Sequence, residues 1–340
     1  MRDILDTLAR WKASGAKVAT ATVVSTERSA PRDPGAMLAV SESGDVAGSV
    51  TGGCVEPAVF EEAREVLAGG GARLRTYGIA DEEAFEVGLP CGGTVHIFVD
   101  AMDPATIDPL AKAIEEERPV ARVVPVSGPN AGAERLVFAD EEAGDEIGRT
   151  AQELLAAGET AVVRVGDDEV FVDSFAPRPN MYVFGAVDHA AAVAEIGRFL
   201  GYRVTVCDAR AKFVTTERFP EADELVVEWP DRFLERSPVD ERTAICVLTH
   251  DHKFDIPALK AALETNAGYI GAMGSRRTTE QRRELLRAEG VSDEELARIH
   301  APIGLRIGAR TPQEVAVSVA AQLIEVLRAP KESRAEAVTP

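Results

Sequence analysis

The sequence predicts an α/β protein: an N-terminal α/β domain with a β-rich acidic connector, then a Rossmann-like domain built on a doubly wound parallel sheet. Three observations carry this. The 340 residues, 45% hydrophobic and 28% charged, suffice for two packed cores. From Pro179 onward, short apolar runs alternate with helical patterns, as in βαβ units. Charge is uneven, with −10 of the net −20 falling in residues 101–178. The expected divisions are 1–178, whose last part (about 101–178) is the connector, and 179–340.

The net charge of −20 repels nucleic acid and acidic membranes, and 5% aromatics leaves few stacking platforms for single strands. No apolar run reaches the ~18–20 residues that cross a bilayer. The opening MRDILDTLARWKASG reads as an amphipathic helix, with Ile4, Leu5, Leu8 and Trp11 at helical spacing, and not as a signal peptide. Four cysteines without a secretion signal point to reduced thiols and a cytoplasmic location.

In the first domain KVATATVV reads as a strand, and Pro31, Pro34 and Gly35 force a turn before the strand MLAV. SESGD is a hairpin turn. The segment GSVTGGCVEPAVFEEAREVLAGGG then places Cys54 just before a helix that begins near Pro57 and ends at Gly69–Gly71. A helix start favours the thiolate form of a cysteine. Gly52 and Gly53 allow close approach of a bulky ligand, and their amides with Ser49 and Thr51 form a candidate anion cradle. In VGLPCGGTVHIF, Cys91 precedes Gly92 and Gly93 on the loop entering the strand TVHIFV. Glycine-framed loop cysteines have little packing reason to be there, so Cys54 and Cys91 are the candidate catalytic residues. Cys54 has the stronger physical case. Cys207 and Cys246, inside strand-like runs, read as core. The spacing of Cys54 and Cys91 is not that of a zinc ribbon, and no C-x-x-C occurs.

The stretch from TVVSTERSAPRDPGAMLAV through GSVTGGCVEPAVFEEAREVL to EVGLPCGGTVHIFV resembles the XdhC/CoxI family, accessory proteins of xanthine dehydrogenase and related molybdenum hydroxylases. The resemblance covers about residues 17–100 and resumes near 180. It implies a maturation factor that binds molybdenum cofactor, supports its sulfuration by a cysteine desulfurase, and inserts it into an apo-hydroxylase. It also implies a homodimer. The residues suit that cargo: a phosphate fits glycine amides and Arg32 (or Arg28), and a soft metal fits a thiolate.

The connector contains the strand candidates PVARVVPV, ERLVFAD, TAVVRVG and EVFVDSF, and helices near DPATIDPLAKAIEEE and Thr150–Ala157, but no chemical constellation. The second domain opens with the strand MYVFGAV, a helix ending at Gly201, and the strand YRVTVCDAR with Asp208 at its end. Gly185 and Asp208 are therefore candidate nucleotide-binding residues. Val187 stands where the dinucleotide fingerprint needs its second glycine, which disfavours NAD(P) and the rival reading, an NAD(P)-dependent oxidoreductase.

Further strands are ELVVEW, TAICVLTH and AGYIGAMG. Gly274, Ser275 and Arg276 open the helix TTEQRRELLRAEG and form a candidate phosphate site. His250-Asp251-His252 lacks a third ligand at proper spacing, so no metal site is expected, and His96 reads as structural. Thr311-Pro312-Gln313-Glu314 is a capping box starting a helix that runs to about Arg328.

Overall fold

This computed structural model describes residues 1–28, 30–78 and 93–328, without the side chain of Arg2. The chain divides into two compact units, Met1–Pro177 and Arg178–Pro340.

The first unit begins with α1 (Leu5–Ala13), then β1 (Val18–Glu27), β2 (Met37–Ser41), β3 (Val46–Gly48), α2 (Glu56–Leu67), β4 (Arg73–Tyr77) and β5 (Thr94–Ala101). The strands make an antiparallel sheet of order β3-β2-β1-β5-β4. Period-2 alternation in β1 sends Ala19, Ala21 and Val23 to one face. There they meet Val59, Ala63 and Val66, the helical stripe of α2. On the other face Leu5 and Leu8 of α1 pack with Met37 and Ala39.

Residues 101–177, the acidic β-rich stretch, belong to the first compact unit. They form α3 (Pro104–Glu115), β6 (Val120–Pro125), β7 (Arg135–Phe138), α4 (Glu146–Ala157), β8 (Ala161–Val165) and β9 (Asp168–Phe175). The four strands make a second antiparallel sheet of order β7-β6-β9-β8. One of its faces is covered by Ala151 and Leu155 of α4. Val124 and Phe171 pack instead with Val24 and Phe98 of the first sheet. The acidic residues lie mostly on exposed loops and helix faces, so the charge density reports a solvated surface over a real core.

A buried ionic network joins the two sheets. Arg122 of β6, 1% exposed, donates from Nε to Glu134 at 2.6 Å and lies 3.6 Å from the Asp100 carboxylate of β5. Thr20 Oγ1 donates to Asp100 at 2.6 Å. Burial pushes the Asp100 carboxyl above its ordinary range, against the attraction of Arg122. These partners are far apart along the chain and meet only in the folded structure.

The second unit contains β10 (Asn180–Phe184), α5 (Asp188–Phe199), β11 (Arg203–Cys207), β12 (Glu224–Val226), α6 (Pro230–Arg236), β13 (Ala244–Val247), α7 (His252–Leu263), β14 (Tyr269–Ala272), α8 (Arg276–Ala288), α9 (Asp293–Ala297), β15 (Ile299–His300) and α10 (Pro312–Arg328). All strand pairs are parallel, in the order β12-β11-β10-β13-β14-β15. Helices α5 and α10 cover one face, and α6, α7, α8 and α9 the other. This is the doubly wound Rossmann-like arrangement, with a reversal of strand order beside β10. The capping box forms: Thr311 Oγ1 accepts from Glu314 N at 3.2 Å and Glu314 accepts from Thr311 N at 3.0 Å. No helix among the described residues is long and apolar enough to cross a membrane.

Replacing Arg122 with methionine leaves two buried carboxylates without their cation, and losing one partner of such a pair costs about 3–5 kcal/mol. Denaturant unfolding of Arg122→Met is expected to show that loss. A variant with wild-type stability contradicts the assigned network.

Candidate functional site

The antiparallel sheet gathers the N-terminal candidate residues at one end. Glu27, the last residue of β1, pairs with Thr94, the first of β5. Leu38 near the start of β2 pairs with Gly48 at the end of β3. The β1–β2 loop bearing Arg32, the β3–α2 loop bearing Gly52, Gly53 and Cys54, and Gly93 ahead of β5 therefore emerge together. Arg32 is exposed and has no ion-pair or hydrogen-bond partner among the described residues. Gly93 is buried. Cys91 and Gly92 lie outside the described residues.

The β3–α2 loop is pinned at both ends by Val50 and Val55, each fully buried in the core beneath α2. Between them Gly52 (φ +84°) and Gly53 (φ +123°) take a backbone conformation that side chains disfavour, turning the chain outward. Cys54 follows with an exposed, free thiol. Thr51 Oγ1 accepts from Cys54 N and Val55 N, both at 3.2 Å, standing in for the side-chain cap that Val55 cannot provide.

The anion cradle exists, and it is filled from within. The Glu56 carboxylate accepts from Ser49 Oγ (2.6 Å), Val50 N (3.2 Å), Thr51 N (2.8 Å), Thr51 Oγ1 (2.7 Å), Gly52 N (2.9 Å) and Gly53 N (2.8 Å). Burial alone would raise its pKa. The hydrogen bonds from Ser49 and Thr51 overcome that and hold the carboxyl far below its ordinary 4.5. The Gly52 and Gly53 amides, candidate phosphate donors by sequence, are engaged by Glu56 in this structure. Sequence spacing missed Glu56 because five residues separate it from Thr51, unlike the three of a capping box.

The nucleotide-type candidates gather at the carboxyl edge of the parallel sheet. Gly185 (φ +108°) follows β10, and a Cβ there would lie 2.6 Å from Thr249 Cγ2 and 2.9 Å from Thr249 N. Its missing side chain accommodates the loop after β13. Val187 N donates to Gly185 O at 2.9 Å, and Ala186 N to Asp208 at 2.8 Å. Asp208, 3% exposed, also accepts from Arg210 N (2.9 Å), Nε (2.9 Å) and Nη2 (2.7 Å). Despite burial, these bonds hold its carboxyl below the usual range. The groups at the positions where a pyrophosphate and a ribose would bind are satisfied internally in this structure.

Ser275 caps α8, accepting from Thr278 N at 3.1 Å, with Gly274 before it and an exposed Arg276 after it. Behind them lies a pair that spacing could not disclose. Arg282, 2% exposed, donates to the fully buried Asp255 at 2.5 Å and to Met273 O at 2.9 Å. Thr249 Oγ1 also donates to Asp255. The three ties join the loops after β13 and β14 to α7 and α8.

His250 sits in a loop, Asp251 caps α7, and His252 begins it. No group of three His, Cys, Asp or Glu suited to a metal occurs among the described residues. His96 pairs with Thr76 Oγ1 at 3.0 Å within the sheet.

Residues 181–323 match the XdhC Rossmann domain, and residues 11–78 match the XdhC and CoxI family. The chain belongs to the XdhC/CoxI family. It is 26% identical to a Bacillus subtilis protein described as a probable xanthine dehydrogenase subunit, over 90% of this chain and 92% of that one. It is 29% identical to the molybdenum cofactor insertion chaperone PaoD of Escherichia coli, over 92% of this chain and 84% of that one. A crystal structure described as a xanthine dehydrogenase from Bacillus halodurans matches with a TM-score of 0.68 and 25% identity, covering 98% of this chain and 97% of that chain. The family matches take in the β1–β2 and β3–α2 loops and nearly all of the parallel sheet.

Two outcomes follow from this geometry. Burial pushes the thiols of Cys207 and Cys246 up to about 12. Alkylation of the native protein, resolved by peptide mass spectrometry, is therefore expected to label Cys54 and to spare Cys207 and Cys246 until unfolding; equal labelling of all three refutes the assigned burial. The second concerns pH. Since folding lowers the Glu56 pKa, its stabilisation is complete above the ordinary 4.5 and fades as pH falls below it. The melting-temperature gap between wild type and Glu56→Gln should be full at pH 7 and narrow below pH 4.5.

Proposed function

We propose that this chain is a molybdenum-cofactor insertion chaperone for a hydroxylase of the xanthine dehydrogenase type, with the cofactor as cargo. The observation that carries the reading is the Cys54 loop: an exposed thiol on a glycine turn, anchored by Val50 and Val55, on a sheet end shared with an exposed Arg32. A thiol suits a soft metal carrying sulfur ligands, and a guanidinium suits a phosphate. With the glycine amides committed to Glu56, Arg32 is the phosphate contact in this proposal. Cys91 remains a second candidate thiol on the resemblance alone. Gly274, Ser275 and Arg276 remain a candidate phosphate contact in the second unit. The named relatives, a cofactor insertion chaperone and a probable component of xanthine dehydrogenase, support a maturation role.

An exposed site of this kind leaves the cargo open to a cysteine desulfurase as sulfur donor and to the apo-hydroxylase that receives it. A homodimer and a cytoplasmic location belong to the same proposal. The oxidoreductase reading loses support from the internally satisfied Ala186, Val187 and Asp208.

Purified protein titrated with molybdenum cofactor, with bound molybdenum measured after gel filtration, is expected to retain cofactor and to activate an apo-hydroxylase. Cys54→Ser should reduce both by about tenfold, the loss of affinity typical when one strong contact of about 1.4 kcal/mol is removed. NADH binding without cofactor binding reverses the choice between the two readings.

A further inference from the structure

We infer that Glu56 is the positioning residue of the Cys54 loop: its carboxylate is a built-in anion that holds the turn in one shape and keeps other anions out of it. The inference deepens the chaperone proposal and rests on it for what the positioned thiol does. The hydrogen bonds themselves stand apart from that reading.

The residues from Val50 to Gly53 belong to no strand or helix, so their amides have no regular partners. Gly52 and Gly53 are exposed and lack side chains, so nothing but hydrogen bonding can restrain them. Glu56 meets the deficit with one group. Oε1 collects Ser49 Oγ, Val50 N, Thr51 N and Gly52 N, and Oε2 collects Thr51 Oγ1 and Gly53 N. Being the first residue of α2, Glu56 ties the turn directly to a helix seated on the sheet. The Gly52 amide has a second acceptor in Ser49 Oγ at 2.8 Å, closing the loop on itself. Cys54 lies between the last clamped amide and the helix, so its exposed position follows from the clamp. A free carboxylate or phosphate approaching this turn meets donors already turned inward and a fixed negative charge.

A carboxylate is needed for this role. All six groups donate to Glu56, so glutamine, with one acceptor oxygen, would keep at most the four bonds of Oε1 and set an NH2 against the Gly53 N–H, and alanine would lose all six.

The test uses the full chain. Native alkylation of Cys54 with iodoacetamide, a neutral reagent, is followed by peptide mass spectrometry in wild type, Glu56→Gln and Glu56→Ala. Glu61→Gln, a charge change on the outer face of α2, is the control. Labelling is expected to quicken severalfold in Glu56→Gln and further in Glu56→Ala, as the turn loosens and its amides become available to sulfur, and to stay unchanged in the control. Activation of an apo-hydroxylase should need severalfold more Glu56→Gln protein for half-maximal effect, with the plateau retained. Hydrogen exchange on wild-type protein guards against misfolded variants: the Gly52 and Gly53 amides should exchange slowly although both residues are exposed. Fast exchange there, or unchanged labelling in both folded variants, overturns the inference. Altered labelling with unaltered activation upholds the clamp and removes Cys54 from the chaperone reading.

Discussion

One carboxylate organises the N-terminal site. Glu56 accepts six hydrogen bonds from four consecutive amides and two hydroxyls within the five residues Ser49–Gly53. Backbone groups left unpaired in a turn would otherwise be satisfied by water, and the turn would sample many shapes. Charge-assisted bonds are stronger than neutral ones, and concentrating them on a helix-borne side chain converts a pliable glycine turn into a fixed support for Cys54. Val50 and Val55 supply the apolar half of the same constraint by anchoring the turn's ends in the core.

Internal anions recur through the molecule. Asp208 satisfies the Ala186 amide at the carboxyl edge of the parallel sheet. Asp255 joins Arg282 and Thr249 beneath the neighbouring loops. Asp100 and Glu134 face Arg122 between the two N-terminal sheets. In each place a carboxylate meets backbone or guanidinium donors where the chain must turn or two layers must join. The net charge of −20 is therefore partly structural, as well as a solvated surface.

The Rossmann-like unit shows how topology and binding chemistry separate. Its strand order and two helical layers are those of a Rossmann-like fold, yet the loop after β10 donates inward and Gly185 makes room for Thr249. A fold of this type is stable for its packing alone, and function depends on which groups remain free at its edge. Among the described residues, the exposed guanidinium of Arg276 after β14 offers such a group, away from the first βα turn.

Much was legible from the chain alone. Hydrophobic periodicity predicted most strands of both units, though not β4 or β15, and the helices α2, α5, α8 and α10, because a period of 2 or 3.6 is a property of consecutive residues. The exposed Cys54 before a helix and the buried Cys207 and Cys246 followed from their immediate neighbours. In the acidic stretch the strands were legible as apolar runs, but charge density does not reveal that alternate residues of Val120–Pro125 and Asp168–Phe175 face a core. The occupancy of the cradle, the closure of Asp208 onto Arg210 and Ala186, and the Arg122 and Arg282 pairs belong to tertiary structure. Each depends on where a side chain finds its partner in space, and spacing along the chain does not encode that distance.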